Sequence, residues 1–445
     1  MDGDSRRFLN QSYDLVAGAG EAFRGDPFST LPPGYPLFIR AIRGLGGGLH
    51  ALLGVQFVLS VVTYGLAYLT FRRRRPTASL AAMAVLALNP WLARQQAAVM
   101  SETLAALLVA LALWLFPAPG EESTVLRSCL LGITGTFLVL VAPACGLMAM
   151  PCGLVFLWRH RADGRRLAAA AGGAALILLP WQAYCLQKTG RFEPFVLHPP
   201  SIGKAGLTKW LQTWLVWPDG LSIWWSEDAR NRLPAEAAQG ADEFRAVQEV
   251  LVSMPKTIYR YVLDSSYDRQ LHSIASRRRA SDPVRVSLVL PLQRCVTIWI
   301  QFGELPGYAR PARWRALASS LWLDWRASKT LGLSVGLWAW NVATLAMILL
   351  AARRLVRNPE PLLVAIVLGV AAYTWLSAVT AMGEFRRGLP FLPALALLLS
   401  SGPAECDRNG LLEANRLRYR RRPACVAGSG TQRKGGAFYG PDSRN

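Results

Sequence analysis

Three short segments of this chain place ionisable side chains at the borders of apolar runs, and these are where chemistry could sit. The first is Met1-Asp2-Gly3-Asp4-Ser5-Arg6-Arg7-Phe8. The second is Met100-Ser101-Glu102-Thr103-Leu104. The third is Gly383-Glu384-Phe385-Arg386-Arg387-Gly388, followed by Leu389-Pro390-Phe391-Leu392-Pro393. Charge beside apolar sequence calls for a reason, because a carboxylate at mid-bilayer costs about 2.5–3.5 kcal/mol. An arginine pair suits phosphate, since each planar guanidinium donates two parallel hydrogen bonds. Each segment also has a plain structural account. Asp4 can belong to a solvated acidic N-terminus. Glu102 can sit in a first helical turn behind a Ser101 N-cap, where the helix dipole favours a negative charge. Arg386 and Arg387 can snorkel to lipid headgroups.

Other motifs are weak. The seven cysteines form no CxxC pair, and His50, His160, His198 and His272 show no metal-ligand spacing. They read as small buried thiols and surface imidazoles. Gly44 to Gly48 lacks the GK[ST] of a phosphate-binding loop and reads as a hinge before an apolar run. There is no GxSxG elbow and no dinucleotide fingerprint. No ligand cluster asks for a metal, no cofactor is firmly implied, and dependence on a divalent metal is left open.

The elements that must position these residues follow from composition. The chain has 445 residues, 52% hydrophobic and only 17% charged, against roughly a quarter charged in soluble domains. Mean hydropathy is +0.24. This excludes disordered, coiled-coil and collagen-like chains, and it argues against a soluble enzyme. Apolar runs lie near 49–71, 79–93, 102–116, 125–141, 144–158, 167–185, 331–352, 361–381 and 388–402. They predict an all-α polytopic membrane protein with about nine transmembrane helices, although several runs fall short of the ~20 residues of a perpendicular crossing. A short amphipathic stretch, Leu37 to Leu45, precedes the first run.

Net charge is +21. The basic clusters Arg72–Arg75, Arg159–Arg166, Arg353–Arg357 and Arg416–Arg422 directly follow apolar runs or lie just beyond them. With alternating spans all four fall on one side, the positive-inside pattern, and no nucleic-acid groove is indicated. One exception, Arg386-Arg387, lands outside, which makes a bound anion attractive as the reason. The segment 186–330 forms one large outer loop, with amphipathic stretches around 206–217, 242–251 and 284–302 expected to lie on the membrane surface. Residues 1–402 form the membrane module, and the basic tail 403–445 is expected to be disordered and cytoplasmic. This topology needs residues 1–48 outside, yet Met1 to Gln11 contains no span or signal core. A helix encoded upstream of Met1 is the expectation.

Together the segments resemble the GT-C membrane glycosyltransferases that use polyprenyl-phosphate sugars, the group containing protein O-mannosyltransferases and the lipid A aminoarabinose transferases. Asp4 and Phe8 match the family's Asp and aromatic four residues apart, with Phe in place of the more usual Tyr. Pro32-Pro33-Gly34-Tyr35-Pro36-Leu37 matches its Pro-Pro-x-Tyr-Pro-Leu motif before a helix along the membrane. Pro90, then Ser101, Glu102 and Leu104, match the second outer loop. Arg386-Arg387-Gly388-Leu389-Pro390-Phe391-Leu392-Pro393 matches the late Arg-Tyr-x-x-Pro-x-x-Pro, with Arg for Tyr. The basic or His residue often found before the Pro-Pro pair is Leu31 here. The resemblance covers about residues 1–402.

The resemblance implies a GT-C-like bundle in the plasma (inner) membrane, with the site facing outside. It implies transfer of a sugar from a polyprenyl-phosphate donor to a hydroxyl of a glycan, lipid or protein acceptor, with inversion. Asp4 would be the base and Glu102 would orient acceptor or donor. Arg386 and Arg387 would hold the lipid phosphate, with Tyr35 and Glu384 also contacting substrate. Membrane lipids are partners and nucleic acid is not. Two other readings stand beside this one: a lipid-linked sugar transporter or flippase, and a truncated, inactive relative.

Overall fold

The computed structural model describes residues 32–72, 99–117, 121–189, 192, 206–216, 233–253, 265–299 and 359–379, with isolated positions at 80, 83, 86–87, 342, 346, 349–350, 352–353, 355–356 and 393–394. The chain divides into two units, Met1–Gly402 and Pro403–Asn445. All described residues belong to the first.

The described residues are helical, with no strand among them. In order they form α1 (Gly34–Gly44), α2 (Leu49–Arg72), α3 (Glu102–Leu115), α4 (Val125–Val141), α5 (Gly146–Arg159) and α6 (Gly164–Thr189). Then come α7 (Gly206–Leu211), α8 (Ala241–Ser253), α9 (Ser265–Ser281), α10 (Leu290–Trp299) and α11 (Pro361–Val379). Helices α2 to α6 and α11 fall on the apolar runs expected near 49–71, 102–116, 125–141, 144–158, 167–185 and 361–381. The runs at 79–93, 331–352 and 388–402 lie largely outside the described residues. Three helices, Leu49–Arg72, Gly164–Gln187 and Pro361–Val379, are long and apolar enough to cross a membrane. Helices α3, α4 and α5 are apolar but shorter.

Helix α2 shows what solvent surrounds this bundle. Its outward residues are apolar: Phe57 is 60% exposed and Val58 57%. Its inward residues include Gln56, Ser60, Thr63 and Thr70, all buried. Water would select the reverse arrangement, whereas lipid accepts it provided each inward hydroxyl is satisfied. Ser60, Thr63 and Thr70 donate to the carbonyls of Gln56, Leu59 and Leu66, one turn back.

Close packing fixes the bundle. A β-carbon on Gly132 of α4 would collide with the Ala170 carbonyl, and one on Gly173 of α6 with the Cys129 carbonyl. Only glycine lets these two backbones approach so closely. In the same way, a β-carbon on Gly369 of α11 would lie 2.5 Å from the Met148 Cα of α5. Helix α3 runs through the middle and buries Leu104, Ala105, Leu108, Val109 and Leu113 in one core with residues of α1, α2, α4, α5 and α11.

Helices α7, α8 and α9 lie in the long segment between α6 and α11. Leu207, Trp210, Leu211 and Trp214 pack with Val247, Leu251, Leu271 and Ile274 into a second, separate core. The faces expected to rest on a membrane surface are thus spent largely on one another. Helix α9 is too polar to have been anticipated. Its Arg278 is buried and donates to Glu243, to Thr213 Oγ1 and to the Ala237 carbonyl. Burial lowers the Arg278 pKa, while Glu243 opposes the shift. Helix α10, also expected at the surface, packs on α11. Its Arg294 is only 1% exposed. Arg294 donates to the carbonyls of Leu215 (2.7 Å), Gln212 (2.6 Å) and Ala378 (3.1 Å). One guanidinium thereby caps the ends of α7 and α11, where helix dipoles favour a cation. Burial pushes it down to about 10, so it stays charged at neutral pH.

Candidate functional site

The Pro-Pro-Gly-Tyr-Pro-Leu segment forms the start of α1. Pro33 occupies the N-cap position and Pro36 lies in the first turn, where a missing N–H costs nothing. The Leu37 amide donates to the Pro33 carbonyl at 3.0 Å. Gly34 is required by contact: a β-carbon there would lie 2.7 Å from the Val141 amide nitrogen at the end of α4. That approach sets Tyr35 inside the bundle, where it is completely buried. Its hydroxyl donates to Gln56 Oε1 of α2 at 2.8 Å, and its ring stacks on Phe38 with centroids 5.9 Å apart.

Glu102 opens α3 and lies in its first turn, as expected. The N-cap expectation for Ser101 is corrected. Ser101 has helical dihedrals (φ −70°, ψ −18°) and makes no side-chain cap, because its hydroxyl is then turned away from the amides a cap must reach. Its carbonyl instead accepts from the Ala105 amide at 2.9 Å.

The two motifs meet. Burial raises the Tyr35 phenol well above its ordinary value of 10.0, and the Glu102 carboxylate pushes it further the same way. A backbone hydrogen bond with Met100 opposes the shift. The Glu102 field also reaches Cys145, a buried thiol in the turn between α4 and α5. Tyr35 therefore presents a neutral hydroxyl at physiological pH. A carboxylate held at a helix N-terminus, beside a neutral hydroxyl fixed on an amide, can orient a polyol or accept a proton.

Of the residues singled out from the sequence, Tyr35 and Glu102 come together here. Asp4, Glu384, Arg386 and Arg387 lie outside the described residues. Sequence reasoning missed Gln56, although a lone amide inside an apolar run is itself a signal. It read Cys145 as a buried thiol, which it is, without its neighbour Glu102. Among the described residues no cluster of three or more His, Cys, Asp or Glu could hold a metal ion.

No family model matches the sequence, and no curated protein is similar to it. A solved structure, that of ArnT from Cupriavidus metallidurans in the apo state, aligns at 14% identity with a TM-score of 0.34, covering 95% of this chain and 76% of that one. A superposition this loose leaves the fold to be argued from this chain's own helices.

Proposed function

We propose that the chain is an integral-membrane glycosyltransferase of the GT-C kind, moving a sugar from a polyprenyl-phosphate donor to an acceptor hydroxyl on the extracytoplasmic face. The observation that carries this reading is the meeting of Tyr35 and Glu102. They come from motifs far apart in sequence, each matched on residue type alone, and at one end of the bundle the buried Tyr35 phenol is hydrogen-bonded to the Met100 backbone and lies in the field of the half-buried Glu102 carboxylate. The long segment between α6 and α11 also bears on this end. Gly369 in mid-α11 touches Met148 near the start of α5, so the far end of α11, which Arg294 caps, points the same way as the start of α5.

The chemistry needs little machinery. The leaving group is a phosphate monoester and already a good one. A base must take the proton of the acceptor hydroxyl, and cations must hold the departing phosphate. Asp4 is assigned the base, Glu102 the orientation of acceptor or donor, and Arg386 with Arg387 the phosphate. Tyr35 and Glu384 complete the substrate contacts. In-line attack inverts the anomeric carbon. The outward-facing site and the plasma-membrane location belong to this same reading.

The test uses the full chain in liposomes with a panel of polyprenyl-phosphate pentoses and hexoses and an envelope-lipid acceptor, reading release of polyprenyl phosphate. Release with at least one donor is expected, and Asp4→Asn should abolish it while the thermal unfolding temperature stays unchanged. Unchanged release from Asp4→Asn removes Asp4 from the mechanism. Donor counterflow without release would make the protein a transporter.

A further inference from the structure

The end of the bundle opposite Tyr35 and Glu102 carries a second arrangement that sugar transfer does not use. A cavity of about 370 Å³ lies among α3, α4, α5, α6 and the first turn of α11; it opens at this end beside Phe116, Phe156 and Leu362, has Gly135 and Gly153 in its wall, and extends along the bundle as far as Leu140 and Met148. This is within the size range of small-molecule sites. Its lining is almost wholly apolar, with Thr136 and Cys152 the exceptions. Water gains nothing in such a space, and an apolar chain fills it.

The cavity's edge is basic. Phe156, one of its walls, packs against the His160 ring with centroids 4.6 Å apart. His160 is 8% exposed, and its Nε2 is buried with no hydrogen-bond partner. The Arg159 guanidinium lies over the ring of Phe116, another wall, 5.7 Å from its centroid, and donates to the Pro117 carbonyl. Arg127 and Arg166 are held by Glu121, Glu122 and Asp163. Arg161 and Arg165 are exposed in the same turn, and no ion pair with an acid involves Arg159, Arg161 or Arg165 among the described residues. Trp158, 59% exposed, marks the interfacial level at which indoles settle. An orphaned imidazole and uncompensated guanidinium charge thus sit at headgroup height above a dry, chain-sized space.

We propose that this cavity is a binding site for an anionic phospholipid of the surrounding bilayer, with acyl chain inside and headgroup phosphate at His160 and Arg159. The site rests on the membrane reading alone and is independent of the transferase chemistry at the other end.

Native mass spectrometry of the full chain, released from nanodiscs of equal phosphatidylglycerol and phosphatidylcholine, tests it. Phosphatidylglycerol should be retained preferentially. Arg161→Gln with Arg165→Gln should lower that retention roughly tenfold or more, at about 1 kcal/mol per basic residue near the headgroup. Gly135→Leu and Gly153→Leu should each abolish it, since a β-carbon at either position meets nothing within 4 Å and the side chain can enter the cavity. An unchanged thermal unfolding temperature in detergent shows that these variants fold. Equal retention of both lipids would overturn the proposal. So would full retention by both cavity-filling variants, or a co-purified polyprenyl phosphate occupying the site instead.

Discussion

The two ends of the bundle handle polar groups in opposite ways. At one end Tyr35, Gln56 and Cys145 are drawn inside, Gln56 bonded to the Tyr35 hydroxyl, and Tyr35 and Cys145 lie in the field of the Glu102 carboxylate. At the other end the charges stay at the rim: Arg127 pairs with Glu121, Arg166 with Glu122 and Asp163, and the interior behind them is apolar and partly empty. A bundle optimised only for stability would fill the second end and remove the carboxylate from the first. Desolvated charge at one end and an unfilled apolar space at the other are both costs, and costs of this kind collect where a protein binds something.

The comparison can be broken most severely at Glu102. Glu102→Gln keeps the shape and removes the charge. It should lower transfer by roughly 10²-fold, the cost of losing a group that positions the reactants, whereas Arg161→Gln at the other end should leave transfer unchanged. Release of polyprenyl phosphate checks both, and an equal loss from the two would erase the distinction between the ends.

Next in size is Arg294. Arg294→Met leaves the carbonyls of Leu215, Gln212 and Ala378 without their donor. At about 1–3 kcal/mol for an unsatisfied buried group, the variant should be destabilised by several kcal/mol. Thermal unfolding and limited proteolysis between α6 and α11 would show it, and a loss under 1 kcal/mol would mean the caps are dispensable.

The smallest effect sharpens the site itself. Tyr35→Phe removes the donor to Gln56 and should cost about 1–2 kcal/mol. It should also change the alkaline limb of stability. The folded phenol holds its proton above 10.0, while the unfolded phenol releases it near 10. Unfolding then releases a proton above pH 10, and stability falls as pH rises. Below about pH 9 both states keep the proton, and Tyr35 adds no pH dependence. Tyr35→Phe should flatten the fall above pH 10; unfolding midpoints from pH 8 to 11 decide this.

Much of the architecture is written locally in the chain. An apolar run long enough to approach the bilayer thickness must be helical, since no other unbranched segment satisfies its own backbone in lipid. So α2 to α6 and α11 could be placed to within a few residues, and Glu102 could be set in a first turn by its dipole. The amphipathic stretch at Leu37 also announced α1. Tertiary contact decided what local sequence does not encode. Whether the faces of α7 and α8 rest on lipid or on a polar helix such as α9 depends on a partner many residues away. Gly34 reads as one turn residue among many until Val141 lies against it. Cys145 and Glu102 are 43 residues apart, and only the packing of α3 against α4 puts one in the other's field. Sequence thus determined which segments are helices and which residue types border them. Only the tertiary structure decided which of those borders meet, because burial and electrostatic coupling depend on distances that close through the fold rather than along the chain.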